Sequence, residues 1–541
     1  MIRKKQIVVK KEKGNKSNEI MKHNKTHINK HNINHDTNNT NNNTYKAKIT
    51  KLKHIKNNKN NKVRNYSRHK YNSRNVYLQK HKLLKHLPNN YISKLVNLYY
   101  NNDNVLNKFL DYKNTKQHIF PEHRRVIVIG DIHGDLDVAI KCLILAKCIK
   151  PIIIPQSKNV TSMDRFFKNI EWIGDDTYIV QLGDQIDRVR PQNWDINEVT
   201  SDSAFKDEGS TLEIFYLFYH LDILARHNNG RVFSIIGNHE IMNVEGDFRY
   251  VSLEEFRSFK EHLSTVYHRN SKFPYHSRTL KNNSYKLDKF EDNENSYENS
   301  YENSYKNSYD NANSNNKYAK LPVGYRERLY AFSPTGLCAN MMGYNNYTLL
   351  QIGNWLFCHG SPVFKTLKTY SIDMINNYVS MYLIGINNDD FNNFDSDDIT
   401  ESDEKSNEVK SFPMIEQHYL NITKNGSKSI LWNRDFGETE ITNGSGLDIT
   451  LLNQLDTILE EYNKKNRFIQ KSIMYGKKAT HIAVGHTIQD TDKHGINSIC
   501  NNRVWRCDVA MSKAFGDNKI SKYRQPQVLE ILNGITTNVL I

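Results

Sequence analysis

Short runs of large apolar residues recur along the chain, and five of them stop at a small cluster of Gly with Asp, Asn or His. Val126-Ile127-Val128-Ile129 is apolar throughout and too short for a buried helix, so it reads as a buried strand. From residue 135 to 147 the spacing changes. Leu136, Ala139, Ile140, Leu143 and Ile144 fall on one side of a helix. Residues 178–182 then predict a strand, 211–227 a helix and 231–236 another strand. Later strands are expected at 348–352, 355–358, 481–484, 504–509 and 528–532, with a helix near 451–462. This β–α–β–α–β alternation predicts an α/β layered fold.

The pattern is absent from three places. Residues 1–75 are Lys, Asn and His with few large apolar groups, a composition that cannot offset its ordering entropy and predicts a disordered tail. Residues 76–123 carry leucines at helical spacing and read as a partly helical lead-in. The folded domain is expected from 124 to 541, interrupted by two solvated low-complexity insertions. One, 283–318, repeats Asn-Ser-Tyr-Glu with a period too short for a stacking unit, and the other, 387–411, is acidic and Asn-rich.

Charge sharpens this division. Residues 1–90 hold 24 Lys and Arg against 3 Asp and Glu, a net of +21, so the chain's overall +16 belongs to the tail. A solvated arm is the ordinary reading of such a segment, with unspecific nucleic-acid contact as the alternative. No interleaved aromatic pattern supports single-strand binding. The six cysteines show no CxxC spacing and several sit in apolar runs, which predicts reduced thiols and an intracellular, cytoplasmic chain. No run of about 18 apolar residues predicts a membrane span.

The five stops are Gly130-Asp131-Ile132-His133-Gly134, Gly183-Asp184-Gln185-Ile186-Asp187-Arg188, Gly237-Asn238-His239-Glu240, His359-Gly360 and Gly485-His486. Each offers oxygen or imidazole nitrogen, donors that suit divalent transition metals. Alone, an Asp-x-His is usually a polar loop and a Gly-His a satisfied buried histidine. No packing rule puts all five at strand ends in this order. Asp131 and His133 can face one ion if the backbone bends between Gly130 and Gly134. Parallel pairing would set Asp184 beside Asp131, where its carboxylate can bridge two cations. The predicted cage is Asp131, His133 and Asp184 on one ion, and Asp184, Asn238, His359 and His486 on the other. The expected cofactor is therefore two divalent metal ions (Mn, Fe or Zn). Two ions about 3.5–4 Å apart clamp an in-line displacement, and a water shared between them becomes the nucleophile. Arg188 and Arg434 are the candidate phosphate clamps, because a guanidinium binds phosphate through paired hydrogen bonds. His239 is the candidate general acid, with Asp187 orienting its ring.

Taken together, these residues resemble the calcineurin-like metallophosphoesterases of the phosphoprotein phosphatase group, and within them the Shewanella-like protein phosphatases. The narrower resemblance rests on the stretch from Gly237-Asn238-His239-Glu240 to Arg249-Tyr250-Val251 and on Ala331-Phe332-Ser333-Pro334-Thr335-Gly336. It rests also on Trp432-Asn433-Arg434, Gly485-His486-Thr487-Ile488-Gln489 and Trp505-Arg506-Cys507-Asp508-Val509. The resemblance implies a central β-sandwich flanked by α-helices and a dinuclear site at the sheet edge. It also implies phosphomonoester hydrolysis on phosphoprotein substrates, by direct water attack at phosphoserine, phosphothreonine or phosphotyrosine. Val189, Ser361 and Thr335 stand where the family usually has Gly. A side chain at 189 would narrow the phosphate approach or shift Arg188. The alternative enzymatic reading is hydrolysis of dinucleoside polyphosphates or another small phosphoester. An inactive scaffold with a basic nucleic-acid-binding tail is the reading from another class.

Overall fold

The computed structural model describes residues 90–99, 116–190, 206–264, 266, 322–386, 415–424, 426, 428–439, 447–473, 476–489, 493–517 and 521–541. The tail, 1–75, and both insertions, 283–318 and 387–411, lie outside the described residues. Within them, the apolar runs form strands in two sheets. The strands are β1 (Ile119–Phe120), β2 (Arg125–Ile129), β3 (Tyr178–Gln181), β4 (Arg231–Ser234), β5 (Leu350–Ile352) and β6 (Trp355–Cys358). They continue with β7 (His481–Val484), β8 (Asn497–Ile499), β9 (Val504–Arg506), β10 (Val528–Leu532) and β11 (Thr536–Leu540).

One sheet has the order β11-β10-β2-β3-β4 and the other β1-β5-β6-β7-β9-β8. In the first, β2, β3 and β4 run parallel, with Val126 opposite Tyr178 and Gln181 opposite Ser234. In the second, β6, β7 and β9 run parallel. Ile127, Ile179 and Val232 from one sheet share a single hydrophobic core with Leu356, Ile482 and Val504 from the other. The result is a β-sandwich with helices outside it. Fully burying each such side chain contributes about 1.5–3 kcal/mol.

The predicted strands are present, some shortened at their carboxyl ends. The strand expected over 504–509 stops at Arg506, and that over 178–182 stops at Gln181. Sequence reading did not anticipate β1, β8 and β11, and all three are sheet edges. β8 and β11 are partly exposed, and β1, though buried, is only two residues long, so none of the three carries a sustained apolar run.

The helices that matter for the site are α1 (Tyr91–Tyr99), α2 (Leu136–Leu145), α3 (Thr211–Arg226), α4 (Asn238–Val244), α5 (Leu253–Leu263), α6 (Tyr325–Phe332) and α7 (Leu447–Ser472). Asp135 caps α2 by accepting from the Val138 amide at 3.2 Å. Ser252 and Glu255 form a capping box that starts α5. Helix α1, from the lead-in, buries Tyr91, Leu95 and Val96, and the Tyr91 hydroxyl donates to Glu213 of α3 at 2.6 Å. The expected helix at 451–462 is the middle of the longer α7.

All six cysteines are buried, and none forms a disulfide. Burial pushes the Cys142 thiol up to about 12 and the Cys148 thiol to about 11, and raises Cys338, Cys358 and Cys507 further. Among the described residues, no helix is long and apolar enough to cross a membrane.

Candidate functional site

Strands β2, β3, β4, β6 and β7 all deliver their carboxyl ends to one edge of the sandwich, where the five polar stops begin. The turns there are tight. His133, Asp184, Asp187 and His486 sit at φ +41°, +50°, +75° and +65°, the left-handed region that costs a side-chain-bearing residue energy. The surrounding structure holds them there. The Ile132 and His133 amides donate to the Asp184 carbonyl at 3.2 and 2.9 Å. The Glu240 carboxylate accepts from the amides of Gly237, Asp184 and Gln185 at 2.7, 3.0 and 2.8 Å. Glu255 accepts from the amides of Asp187 and Arg188 at 3.1 and 3.0 Å.

The structure brings all six predicted ligands into one buried cluster. His133 Nε2 lies 4.0 Å from an Asp131 oxygen and 3.9 Å from Asp184 Oδ2. His359 Nε2 lies 3.3 Å from Asp184 Oδ1 and 2.8 Å from Asn238 Oδ1. The His486 amide donates to Asp131 Oδ2 at 3.1 Å. Donor atoms of His133, Asp184 and His239 lie within 4.8 Å of one another, as do those of Asp184, His359 and His486. His239 was not expected among the ligands, yet its Nε2 is 3.8 Å from Asp184 Oδ2. The two oxygens of Asp184 therefore face two different groups of nitrogen donors.

Backbone carbonyls set the tautomers. His133 Nδ1–H donates to Ile186 at 3.2 Å, His359 Nδ1–H to Leu182 at 2.8 Å, and His486 Nε2–H to Trp432 at 3.2 Å. In His359 this leaves the Nε2 lone pair aimed at the Asn238 carbonyl oxygen. Two acceptors at that distance need a cation or a second ring proton between them. The donor set of carboxylate, amide oxygen and imidazole thus fits divalent metal ions.

Electrostatics follow from this crowding. Burial, reinforced by the charges of Asp508 and Asp184, holds Asp131 well above the usual carboxylate range. Burial opposes ionisation of Asp184 too, but the His359 and His239 rings hold it well below that range. Burial and the Arg190 charge push His133 well down, and burial with His359 and Arg434 does the same to His486. Two further carboxyls are raised by burial, Glu240 to about 7 and Asp508 to about 6, with Asp184 adding to both.

Beside the cluster, His239 Nδ1–H donates to Asp187 Oδ2 at 2.7 Å. Asp187 is held in turn by Asn243 Nδ2 at 2.9 Å and by Arg328 Nη2 at 3.2 Å. Arg328 is fully buried among Phe248, Phe256, Phe259 and Phe332. Arg434 donates from Nη1 to the His486 carbonyl at 3.0 Å. Arg188 lies elsewhere than expected. It is 1% exposed, and its Nη1 reaches Ser512 Oγ at 3.1 Å and Asp135 Oδ2 at 3.5 Å. The guanidinium thus pairs with the buried carboxylate that caps α2, and Ser512 in turn donates to the His133 carbonyl at 3.2 Å.

The three departures from family glycine each have a structural consequence. Val189 is buried against Leu253, and its amide donates to the Tyr250 carbonyl at 2.9 Å. Ser361 Oγ accepts from the Phe436 amide at 3.0 Å, and its own amide donates to Asn433, tying the His359 loop to that of Arg434. Thr335 adopts φ +74°, a conformation that explains the usual glycine. Glu240, Glu255, Asn243, Arg328, Arg190 and Asp508 have no role predicted by the sequence. The signal for the first two is a Glu three residues after a helix start, whereas Arg328 gives no sign in the sequence beyond a cation amid aromatics.

A sandwich that gathers carboxylate, amide and imidazole donors at its strand ends defines a metallophosphoesterase. A family model described as calcineurin-like phosphoesterase matches residues 124–490, and the chain belongs to that family. Among curated relatives, it is similar to Shewanella-like protein phosphatase 2 of Arabidopsis thaliana, at 26% identity over 76% of each chain. It is also similar to Shewanella-like protein phosphatase 1 of Plasmodium berghei (strain Anka), at 31% identity over 28% of this chain and 30% of the relative. Among solved structures, it aligns with the cold-active protein-tyrosine phosphatase of a psychrophilic Shewanella species. That match has a TM-score of 0.40 and 16% identity, and covers 80% of this chain and 84% of the other.

Proposed function

We propose that this chain is a metal-dependent phosphomonoester hydrolase that acts on phosphoproteins and holds two divalent ions, Mn, Fe or Zn. Asp131, His133 and Asp184 would hold one ion, and Asp184, Asn238, His359 and His486 the other. The observation that carries this reading is the placement of Asp184, whose two oxygens face separate sets of imidazoles at 3.3 and 3.9 Å. Bound ions supply Lewis acidity at the phosphoryl group and acidify water at neutral pH.

The chain's own residues do the rest. Protonated His239 donates from Nε2 to the departing serine, threonine or tyrosine oxygen, and so spares the reaction an expelled oxyanion. Asp187 keeps the Nδ1 proton in place and stabilises the imidazolium, while Arg328 and Asn243 fix Asp187. Arg434, anchored on the His486 carbonyl, offers its fork to the phosphoryl oxygens. The protein substrate follows from the names of the relatives. Six buried thiols outside any disulfide support an intracellular, cytoplasmic location.

The test is Asp184→Asn with metal analysis and a panel of phosphopeptides and a dinucleoside tetraphosphate. The variant should lose both ions together and all measurable turnover. Unchanged turnover would remove Asp184 from its bridging place, and cleavage of the nucleotide alone would replace the phosphoprotein substrate.

A further inference from the structure

The segment Asp187-Arg188-Val189-Arg190 carries two guanidinium groups, and they go to different places. Arg188 is sealed in on Asp135 and Ser512. To reach a phosphate it would have to abandon a buried carboxylate, which is costly. Arg190 is half-buried and lies between two aromatic rings. Its guanidinium carbon is 4.7 Å from the Phe515 ring centre and 5.3 Å from that of Tyr250. Each ring in turn packs on one imidazole of the site. Phe515 lies 5.4 Å from the His133 ring, and Tyr250 lies 4.7 Å from that of His239. The guanidinium is therefore at the mouth of the cluster, beside the two histidines nearest Asp184 Oδ2.

Its orientation is fixed. Nη1 donates to the carbonyls of Asp187 at 3.1 Å and Val189 at 2.7 Å. Among the described residues, Nε and Nη2 make no hydrogen bond, so one edge of the fork remains for a ligand. The cation sits among Asp184, Asp187 and Asp508 without pairing directly with any of them. Val189 explains the arrangement. Its side chain is buried against Leu253 and its amide is pinned on Tyr250, which turns the next residue toward the site.

We propose that Arg190, seated between Tyr250 and Phe515, is the guanidinium of this segment that binds the substrate phosphoryl group, and that Arg188 is a positioning residue for the loop. This inference rests on the phosphomonoesterase reading for its substrate but concerns phosphate binding itself. The test uses the full-length, metal-loaded chain and its Arg190→Ala and Arg190→Lys variants. Binding of inorganic phosphate is measured by calorimetry, alongside metal content, melting temperature and phosphopeptide kinetics. Arg190→Ala should weaken phosphate binding and raise KM roughly 10- to 100-fold, the loss expected for a charge-assisted contact, with metal content and melting temperature unchanged. Arg190→Lys should recover only part of it, because an ammonium cannot copy the fork. Phosphate binding within twofold of wild type in Arg190→Ala overturns the assignment, as does loss of metal from that variant. A wild-type chain that hydrolyses no phosphomonoester yet binds phosphate through Arg190 would end the proposed function and leave this inference standing. A wild-type chain that does neither ends both.

Discussion

At the scale of single residues, position in the chain and position in the site are different facts. The side chains that end apolar strands were legible because a buried strand must stop somewhere, and polar donors at the stop have few structural uses. Asp131, Asp184, Asn238, His359 and His486 all belong to this kind. What could not be read was direction. Arg188 and Arg190 are two positions apart, and only the packing of Val189 and the buried Asp135 decides which of them faces the cluster. Nor does a sequence show that His133, Asp184, Asp187 and His486 take left-handed backbone, since Asp and His announce no such need. The His239–Asp187 pair makes a prediction at this scale. His239→Asn should lower kcat roughly 10²- to 10⁴-fold on a phosphoserine peptide, the usual worth of a positioned acid. On nitrophenyl phosphate, whose leaving group needs no proton, the loss should be far smaller. The ratio of the two losses, measured in one preparation, checks the assignment, and equal losses would make His239 something other than the acid.

At the scale of elements, the strands built on apolar runs are legible, β4 at a sheet edge among them, and the other three edge strands are not. Central strands such as β2 and β3 are buried on both faces after their first residue, and this is where Val126–Ile129 and Ile179–Val180 supply the apolar run. Edge strands β8 and β11 are partly exposed, and β1 is a buried pair of residues, too short to read as a strand. Helices α5 and α6 escaped notice because they flank an insertion and because α6 buries a cation, Arg328, where a core position would ordinarily be apolar. The joint between the two sheets also went unseen. Gly130, at the end of β2, lies against the backbone just after β9, where a Cβ would stand 2.1 Å from the Cys507 carbonyl oxygen. Gly130→Ala should therefore force the sheets apart at the site edge and cost roughly 1–3 kcal/mol, the usual range for overpacking. Equilibrium unfolding in urea would show it as a lower midpoint, and an unmoved midpoint would mean that this joint is slack.

At the scale of the whole chain, charge and chemistry are segregated. The 24 basic residues of positions 1–90 lie outside the described residues, and the remainder of the chain is mildly acidic. Removing residues 1–75 should leave kcat and KM within twofold of the full chain while abolishing retention on a polyanion column at low salt. A truncated chain with impaired turnover would show that the tail acts on catalysis. The cysteines carry a different consequence for the molecule as a whole. Cysteine oxidation and alkylation begin from an accessible thiolate, and all six thiols here are buried, five with their pKa raised by that burial. Hydrogen peroxide at doses that convert reactive cysteines to sulfenic acid thus meets no ready thiol in this fold, and iodoacetamide would mark the cysteines only after it opens.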